Sequence, residues 1–77
     1  MATMARTVSG VVRKFGTGEP IPGVMVIGSN LNWVETDDAG RYTLKMPDMA
    51  VFFWCSGFLP VSRVVGAERL DIDLRKA

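Results

Sequence analysis

The chain has 77 residues, nine basic and eight acidic side chains, no histidine and a single cysteine, for a formal net charge of +1. That length holds one domain. A disulfide within the chain is excluded, a zinc site lacks its His and Cys ligands, and charges scattered without a run argue against nucleic acid as the main partner.

Residues 1–6 carry no apolar h-region, so no signal peptide is visible. They read as a flexible segment ahead of one domain over 7–77. Eight glycines and four prolines punctuate short, β-branched apolar segments, and no segment carries a convincing helical period. This is the pattern of a sandwich or barrel of short strands.

The first strand is expected over 7–14, with Val8 and Val12 on one face and Val11 on the other. Two prolines and three glycines make 16–23 a loop, because such residues cannot sit inside a sheet. Residues 24–28 read as a second strand, 29–32 as a turn and 33–37 as a short third strand. Asp37-Asp38-Ala39-Gly40 reads as a tight hairpin, with Asp opening the turn and Gly40 free to take positive φ. The fourth strand, 41–46, alternates: Tyr42, Leu44 and Met46 point one way, Arg41, Thr43 and Lys45 the other. Pro47-Asp48 ends it.

Residues 49–56 differ. Val51, Phe53 and Cys55 share one face, Phe52 and Trp54 the other, and both faces are apolar. The pattern predicts a central strand covered on both sides. Gly57 breaks it. A sixth strand over 59–65, a turn at 66–68 and a seventh strand over 69–75, with Leu70, Ile72 and Leu74 inward, complete about seven strands in two sheets packed face to face. The longest apolar run, 49–55, is too short to cross a bilayer, so direct membrane insertion is not expected. The chain reads as soluble: cytoplasmic, part of an assembled particle, or exported if it is a trimmed piece of a longer protein.

The reactive inventory is thin. Asp37 and Asp38 beside Gly40 lack the spread of oxygen ligands and the closing Glu of a calcium loop, and read as turn residues. Cys55 and the serines have no histidine to activate them, and Cys55 sits where a thiol behaves as a small hydrophobe. Gly16-Thr17-Gly18 lacks the lysine and the following helix of a phosphate loop. Asp71 and Asp73 share a face expected to be solvated, unlike the cleft that paired catalytic carboxylates need. The expectation is a protein that is not an enzyme and has no catalytic residue, metal or cofactor.

Aromatic side chains remain to be placed. Each buries roughly 150–250 Å², and a domain this small draws only roughly 3–5 kcal/mol of net stability from its core. One reading sends Trp33, Phe52 and Trp54 inward, with Trp33 plugging one end. The sharper reading puts Phe52 and Trp54, with Met25 or Ile27, on an outward apolar patch, since Trp and Met are enriched at interface cores. Trp33, Phe52, Trp54, Met25 and Ile27 are therefore the candidate interface residues, and the expected partners are other protein subunits, including further copies of the chain itself. A rival reading takes Trp33 with Asn30-Leu31-Asn32 as a stacking platform for carbohydrate.

The order Val8-Ser9-Gly10-Val11-Val12, Gly18-Glu19-Pro20-Ile21-Pro22-Gly23-Val24, Thr36-Asp37-Asp38-Ala39-Gly40-Arg41-Tyr42-Thr43-Leu44, Ser56-Gly57-Phe58 and Leu70-Asp71-Ile72-Asp73-Leu74 resembles the carboxypeptidase regulatory-like domain. The resemblance covers nearly the whole chain. It implies a transthyretin-like (prealbumin-like) Greek-key β-sandwich of seven strands with no catalytic residues. Such modules lie beside metallocarboxypeptidases and at the N-terminus of outer-membrane nutrient receptors. The resemblance also implies roles: Pro22-Gly23 bends the chain into the second strand, Tyr42 anchors its strand, and Gly57 lets Phe58 turn inward. The expected function is a non-catalytic structural or interaction module, as a subunit or accessory domain of a larger assembly such as a virion, secretion or cell-surface particle.

Overall fold

The computed structural model describes residues 6–28, 32–46, 50–65 and 68–77, with Arg6 and Met46 described in their backbone alone. Seven strands run β1 (Arg6–Lys14), β2 (Met25–Gly28), β3 (Trp33–Glu35), β4 (Arg41–Met46), β5 (Ala50–Trp54), β6 (Val61–Val64) and β7 (Ile72–Leu74). They form two sheets, β4-β1-β7 and β3-β2-β5-β6, packed as a sandwich with no helix among the described residues. Among the described residues no helix is long and apolar enough to cross a membrane. The expected segments 1–5, the turn positions 29–31, Pro47-Asp48, Met49 and 66–67 lie outside the described residues, as does the side chain of Met46. Arg6 opens β1, paired with Met46.

Period-two alternation builds the core. Val8 and Val12 of β1, Tyr42 and Leu44 of β4, and Ile72 and Leu74 of β7 point inward from one sheet. Val26 of β2 with Val51 and Phe53 of β5 point inward from the other, joined by Ile21, Val24 and Val65 from the connections. The Tyr42 and Phe53 rings meet edge to face across the sandwich at 5.5 Å and 75°, a geometry that sets the positive ring edge against the negative face. Phe58 turns inward after Gly57 and packs against this cluster, as does Cys55. Each fully buried Val, Leu or Phe contributes roughly 1.5–3 kcal/mol relative to exposure.

The 37–40 turn forms, but its two flanking strands go to different sheets. The Asp37 Oδ1 accepts the N–H groups of Ala39 and Arg41, both at 2.9 Å, and Gly40 N–H donates to the Asp37 carbonyl at 2.9 Å. Gly40 has φ +74°, and a Cβ there would lie 2.6 Å from the Val12 carbonyl oxygen. Asp37 N–H also donates to the Arg41 carbonyl at 3.0 Å, so the turn closes as a tight hairpin turn does, while β3 and β4 beyond it belong to different sheets, each with ties of its own. Thr36 is buried, and its Oγ1 donates to the Ile21 carbonyl at 2.7 Å and accepts the Val24 N–H at 2.9 Å. That holds the end of β3 to the start of β2. Val12 N–H donates to the Gly40 carbonyl at 2.8 Å, and β4 then pairs with β1 from Val11↔Arg41 to Arg6↔Met46.

β1 serves two partners in succession. Residues 6–11 pair antiparallel with β4 and residues 12–14 pair parallel with β7. Between them the 68–71 segment closes on β1 through Ser9 N–H to the Glu68 carbonyl and Leu70 N–H to the Ser9 carbonyl, both 2.9 Å. Gly10 permits this approach, since a Cβ on it would meet the Leu70 carbonyl oxygen at 1.9 Å. The Leu70 carbonyl accepts the Tyr42 hydroxyl at 2.6 Å, and the Asp71 carboxylate accepts the Val11 N–H at 2.9 Å. This local closure is why the seventh strand is Ile72–Leu74 and not the whole of 69–75.

Candidate functional site

β5 is central, lying between β2 and β6, yet it is covered on one side only. Val51 and Phe53 are fully buried, while Phe52 is 48% and Trp54 52% exposed. The expectation of cover on both faces is thus corrected. The three-stranded sheet packs on the Val51–Phe53 side, and none of the described segments reaches the other. Trp33 does not plug the core either: it is 56% exposed.

Register gathers these side chains into one face. Pairing of β2 with β3 sets Ile27 opposite Trp33 and Met25 opposite Glu35. Pairing of β2 with β5 sets Ile27 opposite Phe52 and Met25 opposite Trp54. Trp33, Ile27, Phe52 and Ser62 of β6 therefore form one cross-strand row. Glu35, Met25 and Trp54 form the next. Directly opposed residues stand roughly 4.5–5.5 Å apart at Cβ, so the rows make a continuous apolar surface across β3, β2 and β5, bordered by Glu35 and Ser62. Met25 and Ile27 are half-buried. All five candidate interface residues fall on this face.

Two residues join them that sequence reasoning did not single out. Ala50 pairs with Val64, and Val64 is 73% exposed. The signal was weak, because nothing in 59–65 says which alternate residues share a face with Phe52 until the β5–β6 register is known. Glu35 is the one charged side chain that this alternation turns to the face among the described residues. Among the described residues the surface is therefore nearly uncharged, with the Ser62 hydroxyl at its β6 end.

The other expected features resolve into structure. The Asp37 carboxylate is engaged with turn N–H groups. Gly16-Thr17-Gly18 closes on itself through Gly18 N–H to the Lys14 carbonyl at 3.0 Å and Glu19 N–H to the Thr17 Oγ1 at 3.2 Å. Trp33 also borders a cleft of about 510 Å³ lined by Asn32, Val34, Thr43, Leu44 and Lys45, at the side where the edge strands β3 and β4 come together. Asn32 Nδ2 donates to the Lys45 carbonyl at 3.2 Å there. Asn30 and Leu31 of the carbohydrate platform lie outside the described residues.

Compared with known proteins, the chain matches no model of a protein family and no curated protein.

Proposed function

We propose that this chain is a non-catalytic interaction module that docks onto other protein through the outer face of its four-stranded sheet. The observation that carries this reading is the cross-strand apolar surface of Trp33, Ile27, Phe52, Met25 and Trp54, with both tryptophans about half exposed. Monomers seldom leave contiguous apolar surface beyond a few hundred Å² uncovered, and larger patches mark interaction sites. Rigid aromatic anchors on a sheet lose little side-chain entropy on binding, and Trp is enriched among residues that dominate interface energetics. A nearly uncharged face also meets its own copy without charge repulsion, which makes self-association one mode of assembly.

For the fold we propose the transthyretin-like Greek key of the carboxypeptidase regulatory-like domain. The strand orders β4-β1-β7 and β3-β2-β5-β6 support it, since β1 reaches β4, and β2 reaches β5, by connections through the opposite sheet. So do the structural ties made by Thr36, Asp37, Gly40 and Tyr42, the residues that carry the resemblance. On this reading the module is a subunit of a larger particle or an accessory domain beside a peptidase or receptor.

Light scattering tests the docking reading. The chain is expected to associate reversibly as concentration rises through the micromolar range, and the double variant Phe52→Ser, Trp54→Ser to stay monomeric with an unchanged circular dichroism spectrum. A parent that stays monomeric throughout, indistinguishable from the variant, would remove the case for assembly through this face. The cleft beside Trp33 favours a second reading, a carbohydrate-binding accessory module. Saturable glycan binding that is lost in Trp33→Ala would select it over protein docking.

A further inference from the structure

The opposite side of the sandwich, the outer face of β4-β1-β7, is polar and basic. Pairing of Val11 with Arg41 and of Ser9 with Thr43 places these four side chains side by side. Arg13 follows two residues along β1 on the same face, and Arg69 joins through its parallel bridge to Ser9. Ser9, Val11, Arg13, Arg41, Thr43 and Arg69 line one hollow of about 460 Å³.

The three guanidinium groups are not equivalent. Arg69 is held by Asp71, with Nη2 to Oδ1 at 3.2 Å and Nε to Oδ2 at 3.4 Å, and the same Oδ1 accepts the Val11 N–H. Arg13 and Arg41 have no ion pair or hydrogen bond from their side chains among the described residues. Asp73 stands opposite Arg13 in the β1–β7 register without forming an ion pair with it. Two guanidinium forks without an ion-pair partner among the described residues thus border one recess, beside two hydroxyl-bearing residues. An arginine fork matches a carboxylate bidentately, and such charge-assisted pairs are roughly twice as strong as neutral hydrogen bonds.

The flanking acids limit what fits. Asp71 and Asp73 lie along the β7 side of the hollow, so a long polyanion crossing the sheet would meet two carboxylates as well as the arginines. A compact anionic group approaching over β4, a strand with no acidic residue, meets Arg41 first and Arg13 diagonally across from it. We propose that this hollow binds a short acidic segment of a partner protein, with Arg41 and Arg13 gripping its carboxylates and the fixed Arg69–Asp71 pair forming one wall. This surface lies on the other side of the sandwich from the aromatic face and works independently of it.

The test is a titration of the full chain with a capped tetraglutamate peptide, followed by amide chemical shifts of Ser9, Val11 and Thr43. Saturable shifts at these residues are expected, weakening as salt is added. The double variant Arg13→Gln, Arg41→Gln is expected to lose affinity by about tenfold or more. Arg41→Lys, which keeps the charge but not the fork, is expected to fall between, and Trp54→Ser to bind like the parent. The proposal is overturned by absence of saturable shifts, by equal affinity in the double variant, or by tighter binding of inorganic phosphate or a DNA oligonucleotide than of the peptide. If the double variant melts early, the Arg41→Lys comparison alone decides, and parent-like affinity there overturns the assigned grip.

Discussion

Replacing Gly10 with alanine tests how β1 and the 68–71 segment are held together. The added methyl would sit 1.9 Å from the Leu70 carbonyl oxygen, 2.6 Å from its carbon and 3.0 Å from Asp71 Oδ1. Two of these are backbone atoms and cannot swing aside. Ordinary contact begins at 3.4 Å, so the segment must retreat by about 1.5 Å. A shift of that size breaks the Leu70 N–H bond to the Ser9 carbonyl, the Tyr42 hydroxyl bond to the Leu70 carbonyl and the Val11 N–H bond to Asp71. At roughly 0.5–1.5 kcal/mol net for each, the loss is about 1.5–4.5 kcal/mol. That is comparable to the roughly 3–5 kcal/mol available to a domain of this size. Urea denaturation followed by circular dichroism is expected to show Gly10→Ala largely unfolded or with a sharply lowered midpoint. A loss below about 0.5 kcal/mol, the range of an ordinary surface substitution, would refute the close approach.

Three further outcomes follow from the same packing. Burial, with a smaller contribution from the Asp71 charge, pushes the Tyr42 hydroxyl up from its ordinary 10.0 to about 12. The folded state therefore holds that proton more tightly than the unfolded chain. Its stabilising contribution is full below pH 10 and is lost as pH rises toward about 12; denaturation midpoints should fall across that window in the parent and fall less in Tyr42→Phe. Thr36→Val keeps the shape but orphans the Val24 N–H and the Ile21 carbonyl, at a cost of about 2–4 kcal/mol by denaturant melt, whereas Thr36→Ser should stay near the parent. Phe53→Ala should cost about 3–5 kcal/mol, while Phe52→Ala, one residue away on the opposite face, should cost less than about 1 kcal/mol.

Much of the fold is written in alternation. Val8 and Val12, Tyr42 and Leu44, and Ile72 and Leu74 announce their buried face because the intervening positions are mostly polar. The Asp37–Gly40 turn is legible because each residue supplies the group its position needs. What the turn joins is not legible. Adjacent strands usually pair, and only the long-range ties from Thr36 to residues 21–24 and from Gly40 to Val12 send β3 and β4 to different sheets. β5 hides its orientation for another reason. Both of its faces are apolar, so period two marks the alternation but not which side meets the core, and a slip of one residue would exchange them. The candidate aromatic residues could be chosen by excess, since a small core cannot use them all. Val64 and the arginine hollow could not be chosen so, because strand register brings their parts together from distant segments.

Both tryptophans of the chain, Trp33 and Trp54, lie on the outer aromatic face, so fluorescence excited selectively at tryptophan reports on that face and not on the buried Tyr42. Emission and acrylamide quenching followed against protein concentration, beside molecular mass from light scattering, is the most direct measurement of what the face is for. The expected result is red-shifted, quenchable emission in the dilute chain that moves to the blue and becomes protected in step with rising mass. Rising mass with unchanged emission would put the contact elsewhere, and blue, protected emission at every dilution would mean that the face was never open.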